Sequence, residues 1–151
     1  MKIERAILLA FLCNYLVNNV VAAIVALIPP SANPGVLTPQ YISFVILSAI
    51  VVALFAWWYM KQGGDLKMGI IFGATGFLVA IVTAFLSGLS GVVLQTGSLA
   101  RMVSVLPNFM PFLLNWSTLV LLGYWVLPSA AIGWWKARGS SSMGDVPKPV
   151  F

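Results

Sequence analysis

Four apolar stretches follow one another along this chain, at residues 6–28, 41–60, 68–94 and 112–135, and each break between them carries prolines, glycines or charges. An α-helix rises 1.5 Å per residue, so about 20 apolar residues cross a hydrocarbon core of roughly 30 Å. All four stretches reach that length. Such segments must satisfy every backbone group internally, and a helix does so. The expectation is an all-α membrane protein: a four-transmembrane-helix bundle forming one domain over residues 1–138, followed by a flexible cytoplasmic tail at 139–151.

Composition supports this. Charged residues make up 7% of the chain against about 25% in soluble domains. The apolar surplus of a 61% hydrophobic chain could not be hidden in a water-soluble core of this length. The net charge of +5 is thinly spread and forms no run of the kind that binds nucleic acid.

The breaks explain themselves. Pro29-Pro30 end the first stretch, because proline lacks the N–H and disfavours helix in the residue before it. Lys61, Gly63, Gly64, Asp65 and Lys67 form a short turn between the second and third. Between the third and fourth, Ser98 is placed to cap a short helix stopped by Pro107, with Ser98, Arg101 and Ser104 at spacing three. That pattern suits an interfacial helix lying on the membrane. A packed external loop or a re-entrant segment are the alternatives. Lys2 and Arg5 before the first run suggest a signal peptide, but the run outlasts the usual 7–15 residues, so an uncleaved first helix is expected.

Orientation follows from the cations. Lys2, Arg5, Lys61, Lys67, Lys136, Arg138 and Lys148 fall on one side, leaving only Arg101 of the eight Lys and Arg on the other. The positive-inside rule places both termini in the cytoplasm, with the chain in the cell membrane. Trp57, Trp58, Tyr59, Trp134 and Trp135 would form the inner aromatic belt, and Tyr41, Phe109 and Phe112 the outer one. So one-sided a charge makes an inverted dimer an unsuitable arrangement.

Two stripes show where the helices should meet. Gly69, Gly73, Gly76, Ala80, Thr83, Ser87 and Ser90 recur at alternating spacings of four and three. Small residues let helices approach closely in lipid, so the third helix should be central, with Gly69, Gly73, Gly76 and Ala80 as packing positions. In the first helix Ala6, Ala10, Asn14, Asn18, Ala22 and Ala26 recur every four residues. That stripe is expected to put Asn14 and Asn18 inside the bundle, bonded to Thr83 or Ser87. Asn14, Asn18, Asn19, Thr83 and Ser87 are the candidate intramembrane polar site, acting as structural glue or as a solute site. Pro128 is expected to kink the fourth helix.

The chemistry is restricted. The chain has no His and one Cys, which removes His-based general-base catalysis, His or CxxC metal sites and an intramolecular disulfide. Glu4, Asp65 and Asp145 all fall outside the apolar stretches, so no intramembrane carboxylate pair is present. No catalytic residue, cofactor-binding residue or metal ligand is expected, and no enzyme. A quinone or lipid could sit among Trp116, Trp125 and phenylalanines, but ordinary lipid-facing and interfacial aromatics explain them better. The expected role is a non-enzymatic membrane component that associates with lipid, with other membrane proteins or with itself, and not with nucleic acid. The alternative is a small oligomeric channel, facilitator or holin-like permeation protein.

Overall fold

The computed structural model describes residues 3–32, 37–108, 111 and 113–141, the last two by backbone alone. Every element among them is helical. The long helices are α1 (Ile3–Ala26), α2 (Pro39–Tyr59), α3 (Leu66–Thr96) and α5 (Trp116–Ser141), and α4 (Leu99–Val105) is a short helix between the last two. All four long helices are long and apolar enough to cross a membrane.

Local chemistry sets the boundaries. The Thr38 hydroxyl accepts from the Tyr41 N–H at 3.2 Å, and Pro39 opens α2 where its missing N–H costs nothing. This starts α2 two residues before the apolar run. Asp65 caps α3 in the same way, accepting from the Met68 N–H at 2.8 Å. Gly97, at φ 63°, ends α3 in the left-handed conformation that glycine adopts without a Cβ penalty. The Gln40 amide donates to the Ile28 carbonyl at 2.6 Å, satisfying an orphan acceptor just past the end of α1.

The largest departures from the expected boundaries are in the last third of the chain. Helix α5 starts at Trp116 rather than 112 and continues beyond Trp135 to Ser141, because Lys136, Ala137 and Arg138 are good helix formers. The expected tail therefore begins as helix, and residues 142–151 lie outside the described residues, as do Phe109 and Phe112 of the expected outer belt. Ser98 sits at the N-cap of α4 without a side-chain capping bond. Pro107 falls inside a single 3₁₀ turn, Leu106–Asn108, that follows α4. Helix α4 buries none of its residues, so it is a helix and not a packed loop.

The most extensive packing is α3 on α5, then α2 on α5, and α1 packs about equally on α2 and α3. Helices α2 and α3, though joined by a tight turn, scarcely touch, and α1 and α5 touch little too, so each of these pairs sits diagonally. The reason lies in the small residues of α3. A Cβ on Gly69 would collide with the Ser129 carbonyl oxygen, and one on Gly76 with the Trp125 indole. On Gly73 it would stand 2.8 Å from both the Trp125 carbonyl oxygen and Val126 Cα. Gly69, Gly73, Gly76 and Ala80 are all buried. Gly133 of α5 returns the fit against the backbone of Asp65 and Leu66.

This close seam holds one end of the bundle. The core there contains Ala6, Ala10 and Cys13 of α1, Val52 and Ala56 of α2, Phe72 of α3 and Trp125 of α5. Tyr59 stacks on Phe72 at 5.1 Å between ring centroids. The same end gathers cations. Lys136 Nζ donates to the Met60 carbonyl at 2.7 Å, at the C-terminus of α2, and lies 5.3 Å from the Trp57 ring centroid. Arg5 reaches the Trp58 carbonyl at 3.5 Å, and the Arg138 guanidinium lies 3.7 Å from the Trp134 ring centroid. Cations at helix C-termini complement the exposed carbonyls and the helix dipole.

Candidate functional site

Away from the cationic end the small-residue seam gives way. Past Ala80 the α3 stripe continues as Thr83, half-buried, and then Ser87 and Ser90, both exposed. Hydroxyls replace glycines, and α3 no longer lies close against its neighbours. The gap that results is a cleft of about 410 Å³ between α1, α3 and α5, open on one flank. Its lining includes Asn14, Asn18 and Asn19 of α1 and Thr83 and Ser87 of α3. The five polar residues singled out in the sequence thus lie in one place. Phe11, Tyr15, Leu121 and Tyr124 complete its walls with Ala80 and Ala84.

The bonding inside the cleft differs from the expectation. The Asn18 amide donates to the Asn14 side-chain oxygen at 3.1 Å, along α1 rather than across to α3. The Asn19 amide donates to the Tyr15 carbonyl at 2.8 Å, and the Thr83 hydroxyl to the Val79 carbonyl at 2.7 Å. Asn18, Asn19 and Thr83 thus each donate to their own helix. Thr83 and Ser87 face the asparagines across the gap without bonding them.

The burial of α1 also shifts. Ala6, Ala10 and Asn14 are buried as the four-residue stripe requires, but further on the buried positions are Val17, Val21 and Val25. Asn18 and Ala26 are exposed and Ala22 is half-buried. A step of four residues turns a 3.6-residue helix about 40° too far, so a strict four-residue stripe winds off the contact face. The chain also widens locally into a π-helical turn, Val17–Val21, which holds both Asn18 and Asn19. Such turns often mark functional positions. Nothing in a pattern of apolar residues reveals a π turn. The paired asparagines, poor helix formers at mid-helix, were the available signal.

A second cavity of about 220 Å³ lies between α2, α3 and α5, lined by Tyr41, Phe44, Val45 and Thr118 among others. It shares Ala84, Leu121 and Tyr124 with the cleft, so these three residues form the partition. Its walls are almost wholly apolar. Phe44 meets Tyr124 edge-on there, with centroids 6.4 Å apart. Pro128 lies inside α5 and brings no N–H to the Tyr124 carbonyl one turn earlier.

Trp116 and Trp125 do not form a shared aromatic site: Trp125 is fully buried in the core, and Trp116 is exposed at the start of α5. Among the described residues no group of three His, Cys, Asp or Glu could hold a metal ion. Cys13 is buried. Neither cavity has a charged residue in its lining. What the cleft offers is uncharged donors and acceptors on an otherwise apolar wall. Set against known family models, characterised proteins and solved structures, the chain matches none.

Proposed function

We propose that this chain is a non-enzymatic multi-pass component of the cell membrane that associates with lipid or with other membrane proteins. The observation that carries the reading is an open polar cleft on an apolar exterior. Helix α3 has a mean hydropathy of 2.4 over its most apolar window, yet only 11% of that window is buried. Large residues such as Ile70, Leu78, Val82 and Leu86 point outward, while glycines and alanine point in. That arrangement suits a lipid solvent, where small residues drive helix contact. Amides left open on such a flank call for a partner, since lipid supplies none.

In this reading the cationic end faces the cytoplasm with both termini, and α4 lies along the opposite surface with Arg101 in the headgroups. Residues 1–138 act as one unit. Catalysis has no place in it, since the chain lacks His and its carboxylates are confined to positions 4, 65 and 145.

Topology is tested by cysteine labelling in a Cys13→Ala background. Ser98→Cys should react with an impermeant maleimide from outside intact cells, and Gln62→Cys only after lysis. External labelling of Gln62→Cys would overturn the orientation.

A second reading is a permeation pathway, favoured by the uncharged lining of Asn14, Asn18, Asn19, Thr83 and Ser87. Along α1 that lining runs only from Phe11 to Asn19, about 12 Å against a core of roughly 30 Å. One chain would not form a path, so clefts of several copies would have to meet. Liposomes separate the two readings. The proposed function expects no K⁺ or small-solute leak above empty vesicles, and co-purification of membrane proteins or lipid after gentle extraction. A leak abolished by Asn14→Leu and Asn18→Leu, with folding intact, would establish permeation instead.

A further inference from the structure

The polar groups of the cleft are not paired off. Asn14 is only 4% exposed, yet its Nδ2 donates to no group among the described residues, and its oxygen is taken by Asn18. Asn18 and Asn19, both exposed on the open side of the cleft, each keep an unbonded oxygen. Turning either amide over exchanges a donor for an acceptor and leaves as many unmet. These atoms open into the cleft, and at membrane depth neither lipid nor the chain gives them a partner there. The π turn that presents Asn18 and Asn19 is a second and separate observation at the same place.

The occupant's chemistry follows from the walls. It must accept from Asn14 and donate or accept at Asn18, Asn19 or Ser87. It must be neutral, because no charged side chain lines the cleft to compensate an ion at this depth. It must carry an apolar body, because Phe11 and Leu121 form the rest of the surface and the open flank borders exposed Tyr15. The volume of about 410 Å³ falls within the roughly 300–1,000 Å³ typical of small-molecule sites.

We propose that the cleft between α1, α3 and α5 binds an uncharged membrane-soluble molecule bearing a carbonyl or hydroxyl group on an apolar body. The proposal rests on the reading of the chain as a membrane component that associates with lipid, and names the class of lipid.

The test uses the full chain in phosphatidylcholine nanodiscs, with retained molecules counted by native mass spectrometry. The probes are dioleoylglycerol and decylubiquinone, with squalene as an apolar control and dioleoylphosphatidate as a charged one. One of the two neutral polar probes should be retained at one per chain, at least tenfold more than either control. Asn14→Leu should lower that retention at least tenfold by removing the amide donor that opens into the cleft. Ala84→Leu should do the same by filling the cleft, and exposed Ala84 carries no close-packed contact that would compromise folding. Helicity and thermal midpoint are measured on both variants. Equal retention of squalene, or retention unchanged by Ala84→Leu, would overturn the proposal. So would dimers of this chain lost in Asn18→Leu with no neutral probe retained, since a second copy would then fill the cleft. Failure of the chain to enter nanodiscs at all would instead remove the membrane reading, before any probe is counted.

Discussion

Trp125→Ala and Gly76→Leu should each destabilise the bundle strongly, and together should cost less than their sum. Trp125 is fully buried, and the Gly76 backbone is where its ring lies. Removing the indole empties roughly 130 Å³, and at about 24 cal/mol per Å³ the cavity costs about 3 kcal/mol. Adding Leu at Gly76 overfills the same space, which costs about 1–3 kcal/mol. The core around the indole includes Phe72, 6.5 Å away between centroids, so the ring has little room to give. In the double variant the leucine enters the space the indole left. A coupling of at least about 1 kcal/mol is expected for residues in contact. Thermal unfolding in detergent measures all three. Gly91→Ala is the control on the same helix, because a Cβ there meets nothing within 4 Å. It should stabilise by up to about 1 kcal/mol through helix propensity alone. Strict additivity of the two core changes would mean that Trp125 does not occupy the space beside Gly76.

The seam that this experiment probes was legible as a pattern. Glycine, glycine, glycine, alanine at alternating spacings of four and three specifies one face of a helix, and close approach is what such a face permits. Its partner was not legible, because α5 carries no matching stripe: it meets the glycines with Trp125, Val126 and Ser129. Nor was the end of the seam, since Thr83, Ser87 and Ser90 continue the same spacing with hydroxyls. A side chain that can bond to its own helix four residues back has no need of a neighbour, as Thr83 and Ser90 illustrate. On α1 the asparagines could be seen at mid-helix and grouped with Thr83 and Ser87. Their spacing of four is enough for one to bond the other along the helix, but the π turn that holds Asn18 and the winding of a four-residue stripe off the contact face are not recorded by hydrophobicity.

Lys136 should prove the costliest single charge in the molecule. Its ammonium is partly buried, donates at 2.7 Å to the carbonyl of Met60, and so joins the end of α5 to the end of α2. Met60 is itself fully buried, and its carbonyl, just past the last turn of α2, accepts from the Gly63 N–H at 3.1 Å as well as from Lys136. A hydrogen bond from a charged donor contributes about 1.5–3 kcal/mol; the Met60 carbonyl keeps its Gly63 partner when the ammonium is removed, so the loss should lie toward the lower end of that range. Lys136→Met keeps the apolar stem and removes the charge, so it should lose about 1.5 kcal/mol of stability. Arg138→Met removes a cation only two residues on, exposed over the Trp134 ring, and should lose no more than about 1 kcal/mol. Salt sharpens the contrast. An exposed cation is screened by 0.5 M NaCl and a partly buried one much less, so the Lys136→Met loss should persist in high salt while that of Arg138→Met fades. Equal losses for the two variants would place Lys136 on the surface, and the junction between α2 and α5 would then rest on their apolar contacts alone.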